Sequence, residues 1–144
     1  DHMNARVKEL GLTQTYFFNP TGLDLDIETA GAYGSARDVA LFTAAFLKHF
    51  SAAFEATAKP SVSITSANRT IEASSTAAPL LSIPGLIGAK TGYTDLAGGN
   101  LAAAFDVEVG QPLIVAVLGS THEGRFEDVK LLIAETRKLF AEQH

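Results

Sequence analysis

The amino-acid sequence predicts an α+β fold, an antiparallel sheet flanked by helices. Two observations carry that expectation. Three β-rich segments fall close together, at residues 86–94, 100–107 and 112–119, with turn residues between the last two. Two segments of helical periodicity, 35–50 and 123–142, supply apolar faces that can cover a sheet. A third observation makes a packed core feasible: 47% of the 144 residues are hydrophobic and mean hydropathy is +0.15. The length favours one domain over residues 1–144.

In chain order, residues 3–10 read as a helix, with Met3, Val7 and Leu10 on one face and Gly11 placed to stop it. The chain opens on Asp1 inside this helix with no capping residue before it, which suggests a truncated start. His2-Met3 is also a common cloning scar. Residues 12–18 are β-branched and aromatic and read as extended. Asn19-Pro20-Thr21-Gly22 has the chemistry of a type I turn. Residues 23–34 read as a loop in which Asp24, Asp26 and Glu28 alternate. The calcium-loop pattern fails there, because its glycine and closing glutamate are missing, so a solvated acidic loop is expected.

Ser35 is an N-cap, with Asp38 three residues on as a capping-box-like partner. Val39, Phe42, Phe46 and Phe50 then predict one buried helix face. Residues 61–73 alternate on both sides of Ser66-Ala67-Asn68 and read as a hairpin. Asp106 to Gly110 offers a turn between the last two strands. Residues 113–119, LIVAVLG, are apolar on both faces and predict a central strand covered on both sides. The closing helix directs Phe126, Val129, Ile133 and Phe140 inward.

Charge and composition narrow the function. Eleven cationic side chains against sixteen anionic ones give a net charge of −5, and no basic stripe marks a nucleic-acid face. Absence of cysteine removes disulfides, thiolate catalysis and thiolate metal sites. The longest apolar runs fall short of the roughly 18 residues that a membrane span needs. His2, His49, His122 and His144 form no ligand spacing and read as surface residues. No metal or organic cofactor is implied.

One stretch carries chemistry: GAKTGYTD, residues 88–95. On a strand, Lys90 and Gly92 point to one face and Thr91 to the other. Gly92 lets another backbone approach, and an exposed sheet edge can accept an extended peptide as an added strand. Lys90 would place positive charge beside a reacting group, and Thr91 a hydroxyl near an anionic end. The tripeptide alone also fits a lysine snorkelling at a strand end beside a turn glycine.

The segments MNARVKELGLTQTYFFNPTGLD, YGSARDVALF, IPGLIGAKTGYTDLAGGNLAAAF and GRFEDVKLL settle the context. In order and spacing the chain resembles the low-molecular-mass penicillin-binding proteins, serine-type D-Ala-D-Ala carboxypeptidases of β-lactamase/transpeptidase-like fold. The resemblance implies three motifs: a Ser-x-x-Lys with nucleophile and base, a Ser-x-Asn, and Lys-Thr-Gly. It makes Lys90 the third-motif lysine, supporting proton transfer and positive potential. Thr91 would bind the substrate carboxylate, and Gly92 would let the substrate strand lie alongside. The N–H of Tyr93 or its neighbour would be an oxyanion donor. Histidine often stands in the family where Tyr93 stands here. Arg125, in Gly124-Arg125, matches a family Gly-Arg pair and would hold the D-Ala carboxylate. A helix-start arginine paired with Glu123 or Asp128 is the structural alternative.

The chain departs from that pattern. Three residues before the six lysines stand Ala5, Ala45, Ala56, Ile87, Glu127 and Glu135, so Ser-x-x-Lys is absent. Ser66-Ala67-Asn68 spells Ser-x-Asn but lies in the hairpin, downstream of where the family carries it. The expectation is a C-terminal part of one transpeptidase-like domain, lacking the nucleophile helix and first strands, inactive alone and prone to associate. The intact parent would act on peptidoglycan stem peptides, bind β-lactams and work outside the cytoplasmic membrane. A D,D-endopeptidase, a β-lactamase relative and a non-catalytic peptidoglycan-binding module remain as alternatives.

Overall fold

The computed structural model describes residues 2–142. Asp1, on which the truncated-start expectation rests, and His144 lie outside them. Helix α1 (His2–Glu9) stops where expected. Gly11 takes φ +69°, a left-handed conformation that costs glycine least. The N–H of Leu12 then returns to the Val7 carbonyl at 3.0 Å, and both side chains are buried.

Two expectations for the next segment need correction. Of residues 12–18, only β1 (Tyr16–Phe17) is extended and paired; of the expected loop 23–34, Ala32–Tyr33 forms its partner β2. Short pairings of this kind depend on a partner distant in sequence, so local composition does not locate them. The Asn19 turn is closed by a side chain. Its Oδ1 accepts from the N–H groups of Thr21 at 2.9 Å and Gly22 at 3.3 Å, an Asx-turn.

Helix α2 (Ala36–His49) begins at Ser35, whose Oγ accepts from the Asp38 N–H at 3.2 Å. Asp38 does not complete a capping box. Its fully buried carboxylate turns away and accepts from the Gln14 N–H at 2.7 Å and the Thr15 hydroxyl at 2.9 Å. These two bonds fasten α2 to the segment before β1.

Helix α3 (Ser51–Glu55) and a 3-10 turn at Ala56–Ala58 lead to the hairpin β3 (Ser61–Ser66) and β4 (Arg69–Ser74). Ser66 pairs with Arg69 across Ala67 and Asn68, and Ala67 takes φ +41°. The Ser-x-Asn spelling is thus a tight hairpin turn, as expected.

After a 3-10 turn at Ala78–Leu80 come β5 (Leu86–Thr94), β6 (Gly98–Glu108) and β7 (Gln111–Ser120), all antiparallel in the order β5-β6-β7. The expected central strand is a correction: β6 occupies the centre, and β7 pairs only with β6 among the described residues. The expected cover on both sides holds, since α2 and α4 (Gly124–Ala141) both pack on β7.

The core lies between α4 and the sheet. Leu101, Ala103 and Phe105 of β6 meet Phe126, Val129 and Ile133 of α4, with Ala89, Ala77 and Leu80 closing the cluster. The opposite face is less complete. Phe42 and Phe50 of the predicted buried stripe are 44% and 59% exposed, while Val39 and Phe46 are half-buried. Between α2 and the sheet runs a cavity of about 620 Å³, lined by Val39, Phe42, Phe46, Leu101, Ala102 and Leu118 among others. Helical periodicity identified an apolar face correctly, but here that face borders an open groove. Among the described residues no single helix is long and apolar enough to cross a membrane.

Candidate active site

Strand β5 brings the motif residues to one margin of the sheet. Its other side is occupied by β6, where Lys90 stands opposite Ala102, Thr91 opposite Leu101 and Gly92 opposite Asn100. Just before the motif, the Ala89 N–H donates to the Thr57 hydroxyl at 2.9 Å, so the turn after α3 covers this part of the strand. Lys90 is exposed and its ammonium donates to the carbonyl of Thr91 on the same strand. Thr91 is buried, 8% exposed, and its hydroxyl lies 2.7 Å from that of Thr76.

The glycines of this region are not equivalent. A Cβ on Gly88 would come within 2.5 Å of the Phe54 carbonyl oxygen, so packing inside the chain requires glycine there. A Cβ on Gly92 would meet only the Asn100 Cβ at 3.8 Å, an ordinary contact. Nothing in the described residues demands a bare Cα at position 92. That is the pattern expected where the approaching backbone belongs to a ligand.

Arg125 reaches this strand from the first turn of α4. Its NH1 donates to the Gly92 carbonyl at 2.6 Å, and the guanidinium lies 4.9 Å from the Phe126 ring centroid. The residue is 6% exposed, and its Nε has no hydrogen-bond partner among the described residues. The alternative pairing with Glu123 or Asp128 does not occur. Glu123 bonds His122 Nδ1 at 2.7 Å, and Asp128 accepts from the Ser120 hydroxyl at 2.6 Å. Lys90, Thr91, Gly92 and Arg125 therefore share one margin. Tyr93, 48% exposed, adjoins them on the strand, its ring edge-on to His122 with centroids 4.9 Å apart.

Three residues of this neighbourhood escaped sequence reasoning. His122 was assigned to the surface; it is exposed, but it touches Tyr93 and its Nε2 lies 3.4 Å from Arg125 NH2. Its place three residues before Arg125 at a helix start was the available signal. Asp24 was expected to be merely solvated. Instead its carboxylate accepts from the Thr94 hydroxyl at 3.0 Å and the Leu96 N–H at 3.4 Å, tying the acidic loop to the end of β5. Thr76 carried no sequence signal at all. No group of carboxylates and histidines among the described residues could hold a metal ion.

Chemically, the margin offers one exposed ammonium, one buried hydroxyl, one guanidinium and an open backbone position. No serine stands among Lys90, Thr91, Gly92, Tyr93 and Arg125. Such a set can bind an extended peptide and its terminal carboxylate, and can stabilise negative charge.

Known proteins resemble this chain along most of its length. A family model described as D-alanyl-D-alanine carboxypeptidase matches residues 1–122. The D-alanyl-D-alanine carboxypeptidase DacA of Escherichia coli K12 is 33% identical over 132 residues, covering 91% of this chain and 31% of that protein. Its Haemophilus influenzae counterpart is 30% identical over the same length, 32% of that protein. Among solved structures, a penicillin-binding protein of Listeria monocytogenes in its ampicillin-bound form superposes with TM-score 0.77 at 32% identity. That match covers 92% of this chain and 53% of the Listeria chain. A D-alanyl-D-alanine carboxypeptidase from Mycobacterium tuberculosis gives TM-score 0.67 at 32% identity, over 81% of this chain and 42% of that one. The 144 residues thus span about a third of the length of the curated relatives and about half of the solved chains.

Proposed function

Because this chain belongs to the D-alanyl-D-alanine carboxypeptidase family, we propose that it is the substrate-gripping part of such an enzyme, completed by further residues of the same domain. The reaction is removal of the terminal D-alanine from peptidoglycan stem peptides. A serine outside these 144 residues attacks the penultimate D-alanine carbonyl, D-alanine leaves, and water releases the acyl group from the serine. In this reading β-lactams acylate the same serine.

Each residue of the margin has a part. Lys90 supplies positive potential and supports proton transfer at the attacked carbonyl. Thr91 and Arg125 bind the terminal carboxylate; Gly92 lets the substrate strand lie against β5. The N–H at Tyr93 or its neighbour serves as one oxyanion donor, with the second coming from the nucleophile's own backbone. The observation that carries the proposal is the 2.6 Å bond from Arg125 to the Gly92 carbonyl, which brings a guanidinium to the strand of Lys90 across 33 residues of chain. Stem peptides lie outside the cytoplasmic membrane, so the parent works in the cell envelope, in the periplasm where one exists.

The test uses the complete protein. It should release D-alanine from an acyl-D-Ala-D-Ala peptide and gain the mass of benzylpenicillin on incubation, whereas the isolated 144 residues should gain none. Arg125→Lys, which keeps charge but loses the planar fork, should lower kcat/KM roughly 10- to 100-fold, the worth of a hydrogen bond to a charged group. A complete protein that neither releases D-alanine nor takes up penicillin ends the carboxypeptidase reading. Preference for cross-linked over linear peptides would redirect it to an endopeptidase.

A further inference from the structure

Two threonines meet beside Lys90. Thr76 Oγ1 and Thr91 Oγ1 are 2.7 Å apart, a full-strength hydroxyl hydrogen bond. We propose that Thr76 is a positioning residue for the carboxylate grip: its hydroxyl donates to Thr91, leaving the Thr91 proton to donate to the peptide's terminal carboxylate. The inference rests on the functional reading above, in which Thr91 touches that carboxylate.

Proton counting supplies the argument. Each hydroxyl has one proton and two lone pairs, and the pair uses one proton between them. If Thr91 donated to Thr76, it would have only lone pairs to present to an anion, which repels them. Carboxylate binding therefore selects the opposite direction, from Thr76 to Thr91. The surroundings permit it. Thr76 is exposed and borders a cavity of about 200 Å³, so water can satisfy its remaining lone pairs. Thr91 is buried and has no such freedom. A donor that is itself accepting a hydrogen bond is also polarised into a stronger donor.

Thr76 is held in place for this task. The adjacent Ser75 hydroxyl donates to the Thr57 carbonyl at 2.8 Å and accepts from the Ala77 N–H at 3.2 Å. The Thr57 hydroxyl donates to the Phe54 carbonyl at 2.6 Å while accepting from the Ala89 N–H. A run of hydroxyls thus fastens the 75–77 segment to β5 on both sides of Lys90, at Ala89 and at Thr91. These bonds would also stabilise the strand if Thr76 played no part with substrate, so the test must separate the two roles.

The complete protein and its Thr76→Val, Thr76→Ala and Thr76→Ser variants are assayed on two peptides, one ending in a free D-alanine carboxylate and one in its carboxamide. Thr76→Val keeps the shape and removes the hydroxyl; Thr76→Ala does so without placing a second methyl against Thr91. Both should lower kcat/KM for the carboxylate peptide roughly 3- to 10-fold more than for the carboxamide, the worth of one hydrogen bond. The loss should appear mainly in KM, and Thr76→Ser should restore it. Equal losses on both peptides, or an unchanged preference, overturn the inference while leaving the carboxypeptidase reading standing. A wild-type protein that cleaves neither peptide overturns both.

Discussion

The two faces of the β5–β7 sheet are finished to different degrees. Beneath α4, Phe105, Leu101, Ala103 and Val129 are almost completely removed from solvent, and side chains from helix and sheet interlock. Beneath α2, Phe42 and Phe46 stand along an apolar cavity of about 620 Å³, Phe42 44% exposed and Phe46 half-buried. Both faces are apolar in sequence, so hydrophobicity does not distinguish them. The difference is that α4 packs closely on one face while α2 leaves a cavity over the other. Helix α4 follows β7 directly and folds back on it; α2 is fastened by the Asp38 carboxylate and leaves apolar surface over. Polar anchoring fixes where a helix sits without filling the space beneath it. The margin of β5 borders both faces: Lys90, Thr91 and Gly92 line the open cavity, while Arg125 approaches from the closed side.

The largest expected effect tests the closed face. Phe105→Ala should destabilise the protein by about 3–5 kcal/mol, read from denaturant unfolding, because a fully buried aromatic leaves a cavity that the surroundings fill only partly. Phe42→Ala, on the open face, should cost less than about 1 kcal/mol in the isolated 144 residues, as for other exposed positions. In the complete protein the same change should cost about 2–4 kcal/mol if the groove is covered there. Equal costs for Phe42→Ala in the two settings would erase the distinction between the faces.

A second consequence concerns association. The groove exposes contiguous apolar surface, and β7 has β6 on one edge alone among the described residues. The isolated 144 residues should therefore self-associate or pair with the rest of the domain, as sedimentation velocity would reveal. A stable, monodisperse monomer would mean that the open face needs no cover.

Legibility in the sequence followed the same division. Strand β5 and helix α4 were readable nearly to the residue, because their apolar periodicity is satisfied by neighbours close in the chain. The hairpin β3–β4 was readable because its two alternating segments flank a two-residue turn, although Ile64 and Ile71 remain exposed. The pairing of Tyr16–Phe17 with Ala32–Tyr33 was not, since two-residue strands carry no periodicity. The apolar run of β7 does not itself tell whether one or two strands flank it; the expectation of an exposed edge came only from the family resemblance. For the site, the residue types at 90–92 and 125 pointed to carboxylate recognition only through family resemblance. The contacts made by His122, Asp24 and Thr76 depend on how distant segments meet, and no local pattern encodes them.

The smallest expected effect lies in the acidic loop, which sharpens the contrast by belonging to neither face. Asp26 is exposed, yet its carboxyl is held below the usual 3.8 by the Glu28 N–H, 2.8 Å from Oδ1, with further help from the Thr29 hydroxyl. A carboxyl with a lowered folded-state value adds stability above its ordinary value, and that stability is lost as pH falls through the lowered one. Any contribution of Asp26 should therefore be fully present at neutral pH and fade only below about pH 4. Asp26→Asn keeps an acceptor oxygen but cannot titrate, so it should slightly flatten the acid limb of the stability curve and leave neutral pH unchanged. An NMR titration that finds Asp26 at or above the usual aspartate value would show that the loop's hydrogen bonds do not persist in solution. The Asp24 link to β5 would then need an independent test, because it starts from the same loop.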